Sequence, residues 1–140
     1  YIMGYLKLTV GEYLTPIGRS INNIGVRPNK VILNTKYVND VYIDSLSDLY
    51  CLKNYNLNDT GVEILLTKYI LRTLGYQTEL NNDVLDEKTQ GIVKLYQKNS
   101  GLSASGVIDI ETQKALNEDL AKIKMDADKQ LLKALDILND

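Results

Sequence analysis

Three sets of residues in this sequence could do chemistry by type and spacing. Asp40, Asp44 and Asp48 recur at every fourth position, so a helix through them would set three carboxylates on one face, an arrangement that could hold a cation. No calcium-loop pattern with its Gly and terminal Glu accompanies them, and they read as turn and cap residues facing water. Cys51 is the single cysteine, which excludes an internal disulfide and a Cys-rich metal site. With Asp48, Leu49, Tyr50 and Leu52 around it, nothing adjacent favours a thiolate, and it reads as a half-buried structural thiol. Ser103-Ala104-Ser105 supplies hydroxyls, but neither Ser-x-x-Lys nor Gly-x-Ser-x-Gly occurs in the chain. There is no His, so Ser-His-Asp and Cys-His nucleophile activation, imidazole acid/base work and His-containing zinc sites are all excluded within this sequence. No catalytic residue, metal ligand or cofactor is assigned; ligand-binding residues stay open.

The elements that would position such groups belong to a soluble globular chain. Its 140 residues carry 16 Lys plus Arg against 18 Asp plus Glu, a net charge of −2, and 44% are hydrophobic. That is one domain or two small ones, able to bury roughly two thirds of the surface of the unfolded chain. With a pI near 5.2 and no run of Lys and Arg free of acidic residues, the footprint of a nucleic-acid partner is missing. No apolar run approaches the ~18 residues of a membrane span, and no basic-then-apolar signal opens the chain. It begins at Tyr1, within an alternating pattern, and so reads as a piece cut from a longer protein.

Along the chain, Leu6, Leu8 and Val10 alternate with Lys7 and Thr9, which predicts a half-buried strand extending to Leu14. Thr15-Pro16-Ile17-Gly18-Arg19 has turn chemistry, a second short strand is predicted at Ser20 to Ile24, and Val26 to Asn29 forms a further turn before Val31-Ile32-Leu33. From Asn34 to Asn58 the pattern is mixed: Tyr37 to Ile43 suits strand or loop, and Leu46, Leu49, Tyr50 and Leu52 suit a short helix. Asn58-Asp59-Thr60-Gly61 is a helix start, Val62, Leu65, Leu66, Tyr69, Ile70 and Leu74 form an apolar face, and Gly75 stops the helix. Two related segments, Val84-Leu85-Asp86 to Gln90 and Val107-Ile108-Asp109 to Gln113, each place an Asp N-cap behind an apolar residue. They predict helices to about Asn99, through Ile92, Val93, Leu95 and Tyr96, and to about Leu120, through Leu116. Leu131, Leu132, Leu135 and Leu138 give a last amphipathic helix from Asp128, whose stripe needs something to pack on.

Residues 58 to 120 resemble the peptidoglycan-binding domain of bacterial cell-wall enzymes. The resemblance lies in Gly61-Val62-Glu63, Leu71 with Leu74-Gly75-Tyr76, Leu85-Asp86-x-x-Thr89, Val93-x-x-Tyr96-Gln97, Gly101-Leu102, Gly106-Val107-Ile108-Asp109, Thr112 and Leu116. It departs at Thr67-Lys68, where the family more often has Leu-Gln, and at Asn58, commonly Gly. Residues 5 to 29 resemble a second family, the carboxyl-terminal processing or tail-specific proteases, through Leu6-Lys7-Leu8-Thr9-Val10, Glu12-Tyr13-Leu14-Thr15-Pro16, Gly18-Arg19-Ser20-Ile21-Asn22 and Gly25-Val26-x-Pro28. Asn29 stands where that family usually has Asp. Asp128-x-Gln130-Leu131-x-x-Ala134-Leu135-x-x-Leu138 resembles the helix closing its protease core. The second resemblance implies peptide hydrolysis by a Ser nucleophile with a Lys base, usually beside a PDZ domain, and both residues precede the Leu-Lys-Leu-Thr strand. Ser103-Ala104-Ser105 echoes the Ser-Ala-Ser about that nucleophile, but it occupies a loop position of the peptidoglycan-binding pattern and is read as non-catalytic.

The expected fold is mainly α with a small β part: a three-helix peptidoglycan-binding-like module flanked by an N-terminal strand or hairpin segment and a C-terminal amphipathic helix. Residues 1–35 are expected as strands of the protease core, 36–57 as a connector, 58–120 as the module and 121–140 as the closing helix. The expected function is that of a non-catalytic C-terminal fragment of a bacterial serine endopeptidase, extracytoplasmic, with peptidoglycan or a protein as partner, protein substrates reached through the absent protease part, and a possible homodimer. The alternatives are an autonomous peptidoglycan-binding module and a protein-interaction or dimerisation domain that has lost glycan binding.

Overall fold

Two helices begin by the same device. The Asp86 carboxylate accepts the Thr89 backbone N–H at 2.7 Å, and the Asp109 carboxylate accepts that of Thr112 at 2.8 Å. Each cap satisfies one of the first free donors of its helix. The computed structural model, which describes residues 11–26 and 31–139, shows α1 (Val62–Thr73), α2 (Glu87–Asn99), α3 (Ile110–Ala127), α4 (Lys129–Asn139) and one two-stranded sheet, β1 (Tyr37–Val38) with β2 (Val41–Tyr42). The fold is therefore mainly α with a small β part, as expected.

The chain divides into two compact units, Tyr1–Val31 and Ile32–Asp140. In the first, Thr15 and Arg19 close the expected turn: the Gly18 N–H donates to the Thr15 carbonyl at 2.8 Å, and Leu14 bridges Ser20. The strand expected at Ser20 to Ile24 is instead a single bridge residue followed by a turn, because Asn23 takes a left-handed φ of 58°. The strand Leu6 to Val10 and the turn residues 27–29 lie outside the described residues.

In the second unit α1 packs on α3. The core joins Ile64, Ile70, Leu71, Leu85, Val93, Tyr96, Ile108, Leu116 and Leu120. Helix α1 is turned relative to the expected face: Val62 is 71% exposed, Leu65, Leu66, Tyr69 and Leu74 are half-buried, and Ile64, Thr67, Lys68 and Leu71 are fully enclosed. The reason lies in residues 36–57. They do not merely connect, since Val41, Ile43, Leu46, Leu49 and Tyr55 are buried and cover a side of the bundle that a three-helix reading leaves to water. Burial on several sides lets α1 keep Lys68 with no accessible surface, its ammonium donating to the Asn82 side-chain oxygen at 2.6 Å. On α2, Leu95 is 50% exposed, against expectation.

The short helix expected at Leu46 to Leu52 does not form; only Ile43–Ser45 makes a 3₁₀ turn. The Leu49 N–H and C=O are both taken by the Asn117 amide of α3, at 2.8 and 2.9 Å, and the Leu46 carbonyl accepts the Lys124 ammonium at 2.6 Å. A backbone held by a neighbouring helix has no groups left for its own helical ladder. The start of α1 also differs, because Gly61 is its N-cap with no side-chain bond. The Asp59 carboxylate accepts the Asn56 N–H instead, while residues 58–61 pair with Asp83 and Leu85. Helix α3 runs past the expected end at Leu120 to Ala127, through Ala121-Lys122-Ile123-Lys124-Met125, which holds no Gly or Pro to stop it. Asp128 alone separates it from α4 and caps the latter by accepting the Leu131 N–H at 3.0 Å.

The caps have a pH signature. The Thr89 backbone N–H, and less so nearby Lys68 and Lys88, hold the Asp86 carboxyl below its ordinary range against an opposing push from burial. A lowered folded-state pKa contributes stability that is present above the unfolded pKa and is lost as the pH falls through the folded value. Asp86→Ala should therefore cost about 1 kcal/mol at pH 7. The difference from the unsubstituted chain should begin to shrink below about pH 4, where Asp86 of the unfolded chain takes up its proton, and disappear as the pH falls through the lower folded value. Denaturant melts of both chains from pH 2 to 7 measure this; a constant difference across that range would contradict the cap assignment.

Candidate functional site

The loop between α2 and α3 is held by one side chain. Gln97 is fully buried; its Nε2 donates to the Val107 carbonyl at 2.8 Å and to the Thr112 hydroxyl at 2.9 Å, and its Oε1 accepts the Gly106 N–H at 2.8 Å. Gly106 has a φ of 76°, and a Cβ there would stand 2.6 Å from the side chains of Gln90 and Lys94, so the position requires glycine. Gln113 repeats only the donor half of this arrangement one helix later, its Nε2 donating to the Lys53 carbonyl at 2.8 Å and the Ile108 carbonyl at 3.1 Å. Through Gln113, and through paired backbone bonds between Tyr55 and Ile108, residues 53–55 are tied to the start of α3.

That rigid frame presents an aromatic and polar face. Tyr76, just after α1, meets Tyr96 of α2 edge to face with ring centroids 6.0 Å apart. The Tyr96 hydroxyl donates to the Asp119 carboxylate of α3 at 2.9 Å, Asp119 accepts the Lys122 ammonium at 2.9 Å, and Asn99 Nδ2 donates to the Tyr76 hydroxyl at 3.0 Å. Burial first, with Asp119 adding to it and Ser100 opposing, pushes the Tyr96 phenol well above its ordinary pKa, so it remains a neutral donor. The Asp119 partner likewise raises Lys122, which stays cationic. Asn99 and Lys122 are exposed and Tyr76 is half-buried. The face thus offers an aromatic ring, amide and hydroxyl groups and one charge pair to a polar ligand with apolar edges. Tyr76 and Tyr96 stand in the motif residues of the sequence; Asp119 reaches the face only because α3 lies beside Tyr96, and Asn99 only because the end of α2 approaches Tyr76.

The other residues weighed from sequence are dispersed. Asp40 lies in the β1–β2 turn, Asp44 in the 3₁₀ turn and Asp48 in the extended segment, all exposed, rather than on one helical face. Among the described residues no group of three His, Cys, Asp or Glu could hold a metal ion. Cys51 is half-buried, as expected, with its Sγ 3.7 Å from Asn117 Nδ2. Ser103, Ala104 and Ser105 are exposed in the α2–α3 loop, where the Ser105 hydroxyl accepts the Val107 N–H at 3.2 Å.

A second region lies where the chain enters the unit and where α3 passes into α4. The Thr35 N–H donates to the Ala127 carbonyl at 2.9 Å, the Gln130 N–H to the Asn34 side chain at 3.0 Å, and Gln130 Nε2 to the Ile32 carbonyl at 2.7 Å. The entering segment thus lies beside the junction of α3 and α4. Beside them is a cavity of about 770 Å³ whose lining includes Lys36, Asp44, Lys124 and Asp128.

Residues 60–116 match the sequence model of the family described as a putative peptidoglycan binding domain. Over 133 residues, 95% of its length, the chain is 30% identical to the carboxy-terminal processing protease CtpA of Bacillus subtilis, of which it covers 27%. Probable CtpA-like serine proteases are similar as well: one of Staphylococcus epidermidis is 28% identical over 84% of this chain and 23% of its own length. One of Staphylococcus aureus is 29% identical over 95% of this chain and 26% of its own length. The chain spans about a quarter of the length of these relatives.

Proposed function

We propose that this chain, similar over nearly its whole length to carboxy-terminal processing proteases and carrying a peptidoglycan-binding-like domain at residues 60–116, is a non-catalytic stretch of a bacterial serine endopeptidase of that class. The Ser nucleophile and Lys base of that enzyme would lie outside this chain, and a Lys base needs no His to take the Ser proton. The observation that carries the reading is the paired entry and exit at Thr35 and Ala127. A domain with adjacent ends can be inserted in a host without displacing it, and the similarity extends beyond the domain on both sides.

In this organisation residues 1–35 and the final helix belong to the protease core. The division at 120/121 falls inside α3, so the domain's last helix leads almost directly into the closing one. The module's role is to hold the enzyme at the cell wall or to position its substrate or partner, through the Tyr76–Tyr96 face. Its place is extracytoplasmic; among the described residues no helix is long and apolar enough to cross a membrane. A second reading, a protein-interaction or homodimerisation domain that has lost glycan binding, is favoured by the exposed Leu131, Leu132, Leu135 and Leu138 of α4. Sedimentation with insoluble peptidoglycan separates the two. Wall binding predicts that the chain pellets with the sacculi and that Tyr76→Ala reduces the bound fraction; protein left wholly in the supernatant would favour the second.

A further inference from the structure

The β1–β2 turn ends against the C-terminus of α1. Its central residues, Asn39 and Asp40, both have positive φ, 47° and 65°, as a tight two-residue hairpin requires. Neither is glycine, so the turn carries side chains where the backbone alone would favour none. Asn39 has a local task, since its Nδ2 donates to the Thr73 carbonyl at 3.0 Å and closes the end of α1. Asp40 has none: its carboxylate takes no hydrogen bond and no ion-pair partner among the described residues.

Asp40 and Arg72 line the same cavity, of about 130 Å³, with Asn39, Gly75, Tyr76 and Gln77. Arg72 is partly fixed, because one guanidinium nitrogen donates to the Thr78 carbonyl at 3.0 Å, leaving other N–H groups of its fork for a ligand. The opposite charges do not close on each other, since no ion pair joins them. Gly75, at φ 93°, opens one wall: even a Cβ there would meet only Asn39 Nδ2, at 4.0 Å. The space equals about four waters' share of liquid volume, a small polar group rather than a sugar ring chain.

We infer that this cavity is a subsite for an α-amino-acid head group, whose carboxylate pairs with Arg72 and whose ammonium pairs with Asp40. A carboxylate suits the planar Arg fork, and an ammonium suits a carboxylate with free lone pairs. Such a head group occurs on a free amino acid and at the free end of a diamino dicarboxylic acid in a wall stem peptide. The second source rests on the wall-binding reading above and places the peptide part of the polymer, not only the glycan, at this module.

The test uses the full chain, labelled with ¹⁵N and titrated with alanine, 2,6-diaminoheptanedioic acid, N-acetylalanine and alanine amide. Both zwitterions should give saturable shifts of the Asn39, Asp40, Gly75 and Tyr76 amides, and each blocked probe should bind at least about fivefold more weakly. Asp40→Asn, an exposed and nearly isosteric change, should lower alanine affinity to that of N-acetylalanine and leave N-acetylalanine unchanged. Arg72→Gln should abolish the preference for alanine over its amide. Equal shifts from zwitterions and blocked probes, or no saturable shift from any, would overturn the subsite whatever the variants do. Sacculi that retain the Asp40→Asn and unsubstituted chains alike, without any response to zwitterions, would remove the subsite and leave wall binding intact. A saturable zwitterion response from a chain that never pellets would uphold the subsite, assign it to a free amino acid and remove wall binding.

Discussion

Leu71→Ala should destabilise the Ile32–Asp140 unit by about 2 to 5 kcal/mol, whereas Leu74→Ala should cost less than half as much. The two leucines are three residues apart at the end of one helix, and composition does not distinguish them. Leu71 has no accessible surface and sits in the cluster with Ile70, Leu116 and Leu120; Leu74 is the half-buried C-cap at the edge of that cluster. Truncating an enclosed side chain adds a cavity to the lost transfer free energy, and a half-buried one leaves a dent that water fills. Urea melts of the full chain and each variant, followed by helical circular dichroism, give both numbers. A Leu74→Ala cost equal to or above that of Leu71→Ala would contradict this burial, and a clear reversal would mean that α1 presents to the core the face its apolar spacing first suggests.

Gln97→Leu should cost about 3 kcal/mol or more, although it exchanges a polar residue for an apolar one of similar size in a fully buried place. The substitution leaves the Gly106 N–H, the Val107 carbonyl and the Thr112 hydroxyl without the partners they have now, and each buried group so stranded costs about 1 to 3 kcal/mol. Hydrogen exchange supplies an independent readout: the Gly106 amide should lose protection far more than amides in the middle of α1. A variant within about half a kcal/mol of the parent, the effect of an ordinary surface change, would show that the network contributes nothing.

The helices were legible where local chemistry repeats. Asp86 and Asp109 announce their helices because a capping carboxylate acts on a backbone N–H three residues on, and Gly75 announces an ending because few other residues take its φ of 93°. What escaped the sequence depends on contacts distant along the chain. Leu46 to Leu52 has helical spacing, yet Asn117, 68 residues beyond Leu49, takes the backbone groups a helix would use. The face of α1 departs from its apolar spacing for a similar reason: the Lys68 carbonyl accepts the Thr78 hydroxyl and its ammonium is held by Asn82, and no periodicity reveals a lysine made interior by residues ten and fourteen positions on. Of the candidate face, the two tyrosines stand within recognisable motifs. Asp119 joins them only because α3 lies beside α2 and Asn99 only because Tyr76 approaches the end of α2, and Asp40 lines a cavity with Arg72 only once the hairpin folds back on α1.

The contacts between residues 32–35 and 127–130 also determine a load path. Tension that pulls the two flanks of the module apart bears first on the Thr35–Ala127 and Gln130–Asn34 hydrogen bonds, which bridge the incoming segment and the junction of α3 and α4. Until those bonds part, the core between Ile64 and Leu120 carries no force. Flanks pulled apart would then part at this neck before the fold between them yields, which makes the neck a mechanical fuse.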